Sequence, residues 1–494
     1  MREERAIAID LAAVTREEDG ELLRVLAWGD PVTVVEEDED RLKVEFQRFV
    51  TEDDGSIVPK SEFGFLKRRV SKSASSKEVT APADEVKVLK LDFVDVQQGD
   101  GAVLETPAGK VMTLDGGENQ LFARYLAARY SGTEASKRKQ FDAMLITHGD
   151  ADHFAGLTKI HESETNDNPE KRLFAHPERV LHNGLVKRPG KVNGVKVKDK
   201  DALGPTATVD GKTILTDLVD DLTAVPDADM NEPFLDWKRA LEEWKKDGPI
   251  KFRHLLKGDN DAFDFLADED IEVEVLAPVP VKDGKVTGLP FIGEDSGHTI
   301  NGNSIVLRLG FKNWRMIFAG DLNTDAEDAL VADHADKGNS LNLRGEVFKV
   351  PHHGSHEYSE AFLAAVDPLI SVVSSGDEAG KEYIHPRATL VSALGHHSRD
   401  DVPSVVFITE LVAFFSAIGW VQPDATHGVD GKAPGPREKD FFAFRREAYG
   451  IVRVRTDGER LLVFTNSGQA RLKEAYAFTA DAPGEVKSAK VVKV

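Results

Sequence analysis

From about residue 86 onward the chain repeats one kind of unit, a short apolar run that ends in a polar, glycine-rich loop. VKVLKLDFVDV, KVMTLDGG, FDAMLITHGDADH, SIVLRLG, WRMIFAGDL and EVFKVPHHGS all have this form, and helical segments such as LFARYLAARY and AEDALVADHADK lie between several of them. Strands that feed loops, with helices between them, predict a layered α/β domain whose chemistry sits at the strand ends. IVRVRTDGERLLVFTNSG near the end reads as a hairpin around Asp457-Gly458, expected to complete the same sheets.

The rest of the chain departs from this rhythm. Residues 1–70 alternate apolar and polar positions between tight turns (LRVLAW, Gly29-Asp30-Pro31, VTVVEE, LKVEF), which predicts a small antiparallel β-barrel domain. AWGDPVTVVEEDEDRLKVEF followed by GFL resembles a bacterial SH3-like domain, and such a domain is a candidate docking surface for a protein partner or packs on the rest. Residues 71–85, rich in Ser, Lys and Ala without apolar period, are expected to be a linker to a domain over 86–494. Within that domain, about 176–275 reads as an insertion near the active-site rim, carrying the basic run VKRPGKVNGVKVKDK.

Composition narrows the chemistry. The chain has 494 residues and no cysteine, so thiol nucleophiles, disulfides and zinc–cysteine sites are excluded, and any metal must be held by His, Asp, Glu or Asn. MREERAIAIDLAAVTREEDG lacks the apolar core of a secretion signal, which predicts a cytoplasmic location. SVVFITELVAFFSAIGWV (404–421) approaches the length of a membrane span, but Glu410 would lie inside it, so a buried strand and helix is expected and no membrane partner. A formal charge of −23 opposes general coating of nucleic acid, though bound cations and a local basic patch can invert the field at a site.

LITHGDADHFAGL concentrates the ligand chemistry, with His148, Asp150, Asp152 and His153 in six positions after an apolar strand. In extended backbone His148 and Asp150 project the same way and can converge on one ion. Asp152 and His153 point apart, and entry into a helix at FAGLTKI would let them reach a second ion, in keeping with two-metal sites whose ions lie about 3.5–4 Å apart.

THGDADHFAG resembles the His-x-His/Asp-x-Asp-His signature of the metallo-β-lactamase fold. The series FVDVQQGDG (93–101), TLDGG (113–117), THGDADH (147–153), NGNSIVLRL (301–309), FAGD (318–321), KVPHHGS (349–355) and HP (385–386) is similar to the hydrolase domain of the ComEC competence proteins. The resemblance implies a four-layer αββα sandwich holding two divalent metal ions, with His148 and Asp150 on one and Asp152 and His153 on the other. Asp321 would bridge them, and His353 rather than its neighbour His352 would complete the ligands. Asp115 would orient the metal loop by hydrogen bonding. Asp152 and His385 are the candidate catalytic groups, His385 as a phosphate binder or leaving-group acid, and Ser355 with Gly354 is a candidate phosphate contact. Asn301 stands where lactamases have a third histidine, with His298 slightly upstream, and Asp150 also replaces a histidine. Oxygen-rich ligation of this kind shifts preference from zinc towards manganese or magnesium.

Paired divalent ions make water reactive near neutral pH and suit phosphate esters, whose transition-state charge spreads over oxygens. The expected function is therefore a metal-dependent hydrolase, and the resemblance to ComEC hydrolase domains implies a phosphodiesterase or nuclease acting on DNA or another nucleic acid. Lys187, Arg188, Lys191, Lys196, Lys198 and Lys200 either line an approach groove or form a solvated loop. A small-molecule metallohydrolase for a phosphorylated headgroup, cyclic nucleotide or lactone is the alternative, followed by a non-catalytic scaffold.

Overall fold

The computed structural model describes residues 2–17, 20–51, 57–70, 77–192, 194–284, 286–336, 343–376, 385–397, 399, 402, 404–410, 450–466 and 474–492. Two sheets form its centre. The larger has ten strands, in the order Lys251–His254, Arg179–His182, Ala143–Leu145, Val111–Asp115, Gly101–Glu105, Leu89–Phe93, Ile451–Thr456, Arg460–Asn466, Ala475–Ala482 and Glu485–Val491. The smaller runs Ile271–Ala277, Val306–Phe311, Trp314–Phe318, Val347–Lys349, Ile370–Val373 and Val405–Ile408. In each, four adjacent strands are parallel, so connecting helices must cross over a face.

Side chains on alternate positions point to opposite faces, and here both faces are apolar. Leu89, Leu91 and Phe93 from the larger sheet meet Leu307, Leu309, Met316 and Phe318 from the smaller one in a shared central core. The opposite face of the larger sheet, through Val103, Val111 and Met144, is covered by helices α1 (Leu121–Arg129), α2 (Ala151–Ser163) and α3 (Glu232–Asp247). After the short α4 (Ser296–Gly302), helices α5 (Thr324–Asp336), α6 (Glu360–Val366) and α7 (Ala388–His396) cover Ile317, Phe348 and Val373 on the outer face of the smaller sheet. The result is the layered α/β domain expected from the strand pattern, in the αββα order that the family resemblance implies.

The N-terminal residues form a seven-stranded antiparallel sheet around Ile7, Val14, Leu23, Val34, Val44 and Leu66. Its seventh strand, Thr80–Pro82, lies in the stretch expected to be a linker and pairs with Glu3–Ile7, an interaction of backbone groups that needs no apolar period. This sheet lies against the far end of the larger one, where Leu11, Val25, Ala27 and Trp28 pack on Leu462, Phe464, Ala475 and Ala477. Arg460 stacks 3.7 Å over the Trp28 ring and pairs with Asp10 at 3.2 Å.

Of the expected insertion over 176–275, the end lies in strand Ile271–Ala277 of the smaller sheet, while strands Arg179–His182 and Lys251–His254 belong to the larger one. The excursion between them carries an exposed hairpin, Lys191–Val192 with Val195–Lys196, and α3, whose Trp237 and Trp244 are buried against α2. Of the apolar stretch 404–421, Val405–Ile408 is an edge strand and 411–421 lie outside the described residues. Among the described residues no helix is long and apolar enough to cross a membrane.

Two buried charge sites hold the layers together. Asp92 projects from its strand towards α1, where Arg455 donates to it at 2.6 Å and Arg129 and Tyr125 also bond to it. Burial raises the Asp92 pKa, but Arg455, Arg129 and Arg453 outweigh this and hold it ionised. Glu327 on α5 is the opposite case. It accepts a hydrogen bond from the Ser359 N–H at the start of α6, yet among the described residues no cation pairs with it, and burial pushes its pKa up to about 8. In the unfolded chain this carboxyl ionises near 4.5. Between those values the unfolded chain has released a proton that the folded one keeps, so stability falls as pH rises through the window. Glu327→Gln should therefore leave stability at pH 4 almost unchanged and raise it by roughly 3 kcal/mol at pH 7 in urea unfolding. An equal effect at both pH values would rule out this linkage.

Candidate metal centre

The parallel strands Val111–Asp115 and Ala143–Leu145 lie side by side, with Leu114 opposite Leu145, so Asp115 and the 146–153 loop emerge at the same edge. Asp115 accepts hydrogen bonds from the Thr147 backbone N–H and hydroxyl, both at 2.7 Å. Its other contact is His153 Nδ1 at 2.8 Å, which assigns the proton to Nδ1 and leaves Nε2 to face inward. Chain entry into α2 at Ala151 puts His153 in the first turn.

Two glycines permit this interlock. A side chain at Gly156 would place Cβ 2.1 Å from the Gly116 carbonyl oxygen, and one at Gly99 would place it 1.8 Å from that of Asp152. Backbone bonds from Gly116 N to His153 O (2.6 Å) and from Asp100 N to Asp152 O (3.2 Å) take up the space. LDGG, QGDG and the metal loop are thus locked together by the missing methyl groups.

The other ligands arrive from the smaller sheet. Asp321 follows strand Trp314–Phe318, and its N–H donates to Ser304 Oγ at 3.1 Å. His353 follows strand Val347–Lys349 in a 3-10 turn, with φ of 48° at His352 and 51° at His353. Left-handed backbone at non-glycine residues costs on the order of 1–3 kcal/mol each and persists where surrounding structure enforces it. His353 Nδ1 faces the Ser374 carbonyl at 3.2 Å and Asp100 at 3.3 Å, which again turns Nε2 inward.

Asp321 Oδ2 then lies 3.2 Å from His153 Nε2 and 3.1 Å from His353 Nε2. Asp152 lies 3.4 Å from His353 Nε2 and 4.0 Å from His153 Nε2. Asp152, His153, Asp321 and His353, expected as ligands from the sequence, are therefore gathered at one point although two come from each sheet. Asp100, His153, Asp321 and His353 also form a buried group with donor atoms within 4.8 Å of one another. Asp100 reaches the histidines on their Nδ1 sides, whereas Asp152 stands on the Nε2 sides, where it would face a bound ion.

The donor chemistry fits a divalent ion. Nε2 of His148, His153 and His353 are buried without a hydrogen-bond partner, although buried polar atoms normally have one. Burial alone would lower the pKa of His153 and His353, but Asp321, with Asp115 for His153 and Asp100 for His353, raises both well above the usual histidine value. The same carboxylates that favour a proton on each imidazole would also favour a divalent cation in its place.

The remaining expected residues occupy distinct places. His148 is fully buried with Nδ1 against the Thr147 hydroxyl at 3.2 Å, while Asp150 is ion-paired with Lys187. Asn301 lies in the last turn of α4 with a buried, unpartnered Oδ1, outside the four-donor group. The His298 carbonyl accepts from Asn323 Nδ2 at 2.8 Å. His352 turns towards Glu357, 3.8 Å away, and Ser355 Oγ accepts from the Glu357 N–H at 3.3 Å. The His385 ring lies 5.9 Å from that of His352 and 6.4 Å from that of His353. Burial, then the neighbouring His353 and His352, push its pKa down to about 3, so it is a neutral imidazole at pH 7.

Two functional residues were not assigned a role from sequence. Asp100 supports both histidines, and Lys349, buried on an otherwise apolar strand, forms an ion pair with Asp100 and donates to the Gly320 carbonyl at 3.2 Å. A charged residue inside an apolar run is the signal that would have found Lys349, because lysine is almost never buried unless paired. Asp115→Ala should weaken metal binding 10–100-fold, roughly the effect of losing a carboxylate that orients a ligand. Competition against a chelator measures this, and unchanged affinity would remove Asp115 from the role.

Two facing sheets between helical layers, with this donor group at their shared edge, define the architecture. This is the four-layer αββα arrangement that the resemblance to the metallo-β-lactamase fold implies. No family model matches the chain. It is similar to the competence protein ComA of Neisseria gonorrhoeae, 35% identical over 98 residues, which is 20% of this chain and 13% of that protein. The chain thus spans about an eighth of the length of this curated relative. Among solved structures it is similar to a metal-dependent hydrolase of the β-lactamase superfamily, at 14% identity and a TM-score of 0.31, covering 66% of this chain and 96% of that one. A variant of the CmlA β-hydroxylase matches at 12% identity and a TM-score of 0.30, covering 67% of this chain and 54% of that one.

Proposed function

We propose that the chain is a metal-dependent hydrolase that cleaves phosphodiesters, with nucleic acid as its substrate class. The observation that carries this reading is the convergence of Asp152, His153, Asp321 and His353. A divalent ion held there supplies the Lewis acidity that makes water nucleophilic near neutral pH and offsets the charge of a phosphoryl group. Asp115 and Asp100 fix both imidazoles, so no reorganisation is needed as charge develops. Lys349 balances Asp100 in the buried layer beneath. The neutral state of His385 at the edge of the histidine cluster supports the role of a hydrogen-bond donor to a phosphate oxygen over that of a leaving-group acid.

The polymer reading draws on charge. The basic run starts at Lys187, in contact with the metal loop, and continues through exposed Lys191, Lys196, Lys198 and Lys200 on and beside a projecting hairpin. Such a track suits a phosphate backbone leading to the ions. The motif series shared with ComEC hydrolase domains points the same way.

Purified chain incubated with linear DNA, plasmid or RNA, and manganese, zinc or magnesium, tests the proposal, with Asp152→Ala and His153→Ala as controls. Cleavage lost in both controls is the expected result. Failure to cut any nucleic acid or bis-(p-nitrophenyl) phosphate with every metal would overturn it. Hydrolysis of the small diester alone would move the assignment to small-molecule substrates.

A further inference from the structure

The metal ligands expected from the sequence do not form two equal sets. Around one point stand four donors, Asp152, His153, Asp321 and His353, backed by Asp115 and Asp100. For the second position that the resemblance implies, the expected ligands among the described residues are His148, with its buried and unpartnered Nε2, and the Asp150 carboxylate, apart from whatever Asp321 shares. That carboxylate is already engaged: Asp150 stands at the N-cap of α2 yet caps nothing, because Oδ1 is ion-paired with Lys187 Nζ.

We propose that Lys187 competes with the second metal ion for Asp150, so that the chain holds one divalent ion firmly and admits another only by displacing this ammonium group. The inference rests on the metal-hydrolase reading. Lys187 is not a surface lysine that happens to reach the site. Leu185 and Val186 before it are buried, its carbonyl accepts from Asn231 N at 2.9 Å, and Arg188 N donates to the Ala202 carbonyl at 2.8 Å. The backbone therefore fixes where the side chain starts.

Charge and donor count then set the order of binding. An ammonium group and a divalent ion on the same carboxylate repel each other, so the second ion must move Lys187 away before Asp150 can serve it. Opposition to the first ion is weaker: Lys349, the other lysine of the site, is paired with Asp100 behind the histidines and stands 3.9 Å from Asp321 Oδ1, which leaves Asp321 Oδ2 facing both imidazole nitrogens. An ammonium at the second position still presents positive charge to a phosphate, with half the charge of the ion it replaces.

Metal counting on the full, metal-stripped chain tests this without reference to catalysis. After loading with manganese or zinc and desalting, elemental analysis should find one ion per wild-type chain. Lys187→Met should hold two, and Lys191→Met, changed on the exposed hairpin, should stay at one. Circular dichroism checks that the variants fold. If Lys187→Met does not fold, Lys187→Gln carries the same expectation. Two equally retained ions in the wild type, or one ion in a folded Lys187→Met or Lys187→Gln, would overturn the competition. No retained ion in the wild type would instead overturn the metal-hydrolase reading itself.

Discussion

Asp321→Ala should abolish hydrolysis, with kcat reduced by on the order of 10³-fold or more, and should lower metal retention in the same preparation. Asp321 is the one carboxylate within 3.2 Å of both inward-facing imidazole nitrogens, so no neighbour can replace it. Its loss also removes the strongest influence holding protons on His153 and His353, and both pKa values should fall. Steady-state assay against a generic phosphodiester, paired with elemental analysis, reads both effects. Activity within tenfold of wild type would show that the reaction does not run through this residue.

Asp92→Ala should destabilise the fold by about 3–5 kcal/mol, the range seen when one partner of a buried ion pair is removed. Arg455 is 1% exposed and Asp92 is fully buried, so the guanidinium left behind has no route to water. Arg129 keeps a second partner in Glu105 at 3.0 Å, which limits the loss to part of the network. Urea unfolding measures the change, and a loss under about 1 kcal/mol would mean that water or Glu105 satisfies the arginines. Because Asp92 lies on the helix-facing side of the sheet, catalysis in the folded fraction should be unaffected.

The layered fold was legible because its cause is local: apolar runs ending in glycine-rich loops force strands whose ends gather at one edge. Asp152 and His153 were legible as ligand-type residues crowded after such a run, whereas Asp115, Asp321 and His353 were legible only through the resemblance of their motifs to a known family. What stayed hidden depends on partners far away in the chain. Asp100 is defined by His353 and Lys349, and Lys187 acquires meaning only when the excursion folds back on Asp150. Nor does composition over 71–85 reveal that Thr80–Pro82 will find Glu3–Ile7, since backbone pairing leaves no mark on side-chain pattern.

The pairing of strand Leu89–Phe93 with Ile451–Thr456, Leu91 opposite Val454, has a consequence for biosynthesis. At translation rates of about 5–20 residues per second, the first strand waits on the order of tens of seconds for its neighbour to leave the ribosome. During that interval its hydrogen-bonding edge is open to other chains. Expression yield should therefore depend on chaperone supply and elongation speed more steeply than the stability of the finished molecule would suggest.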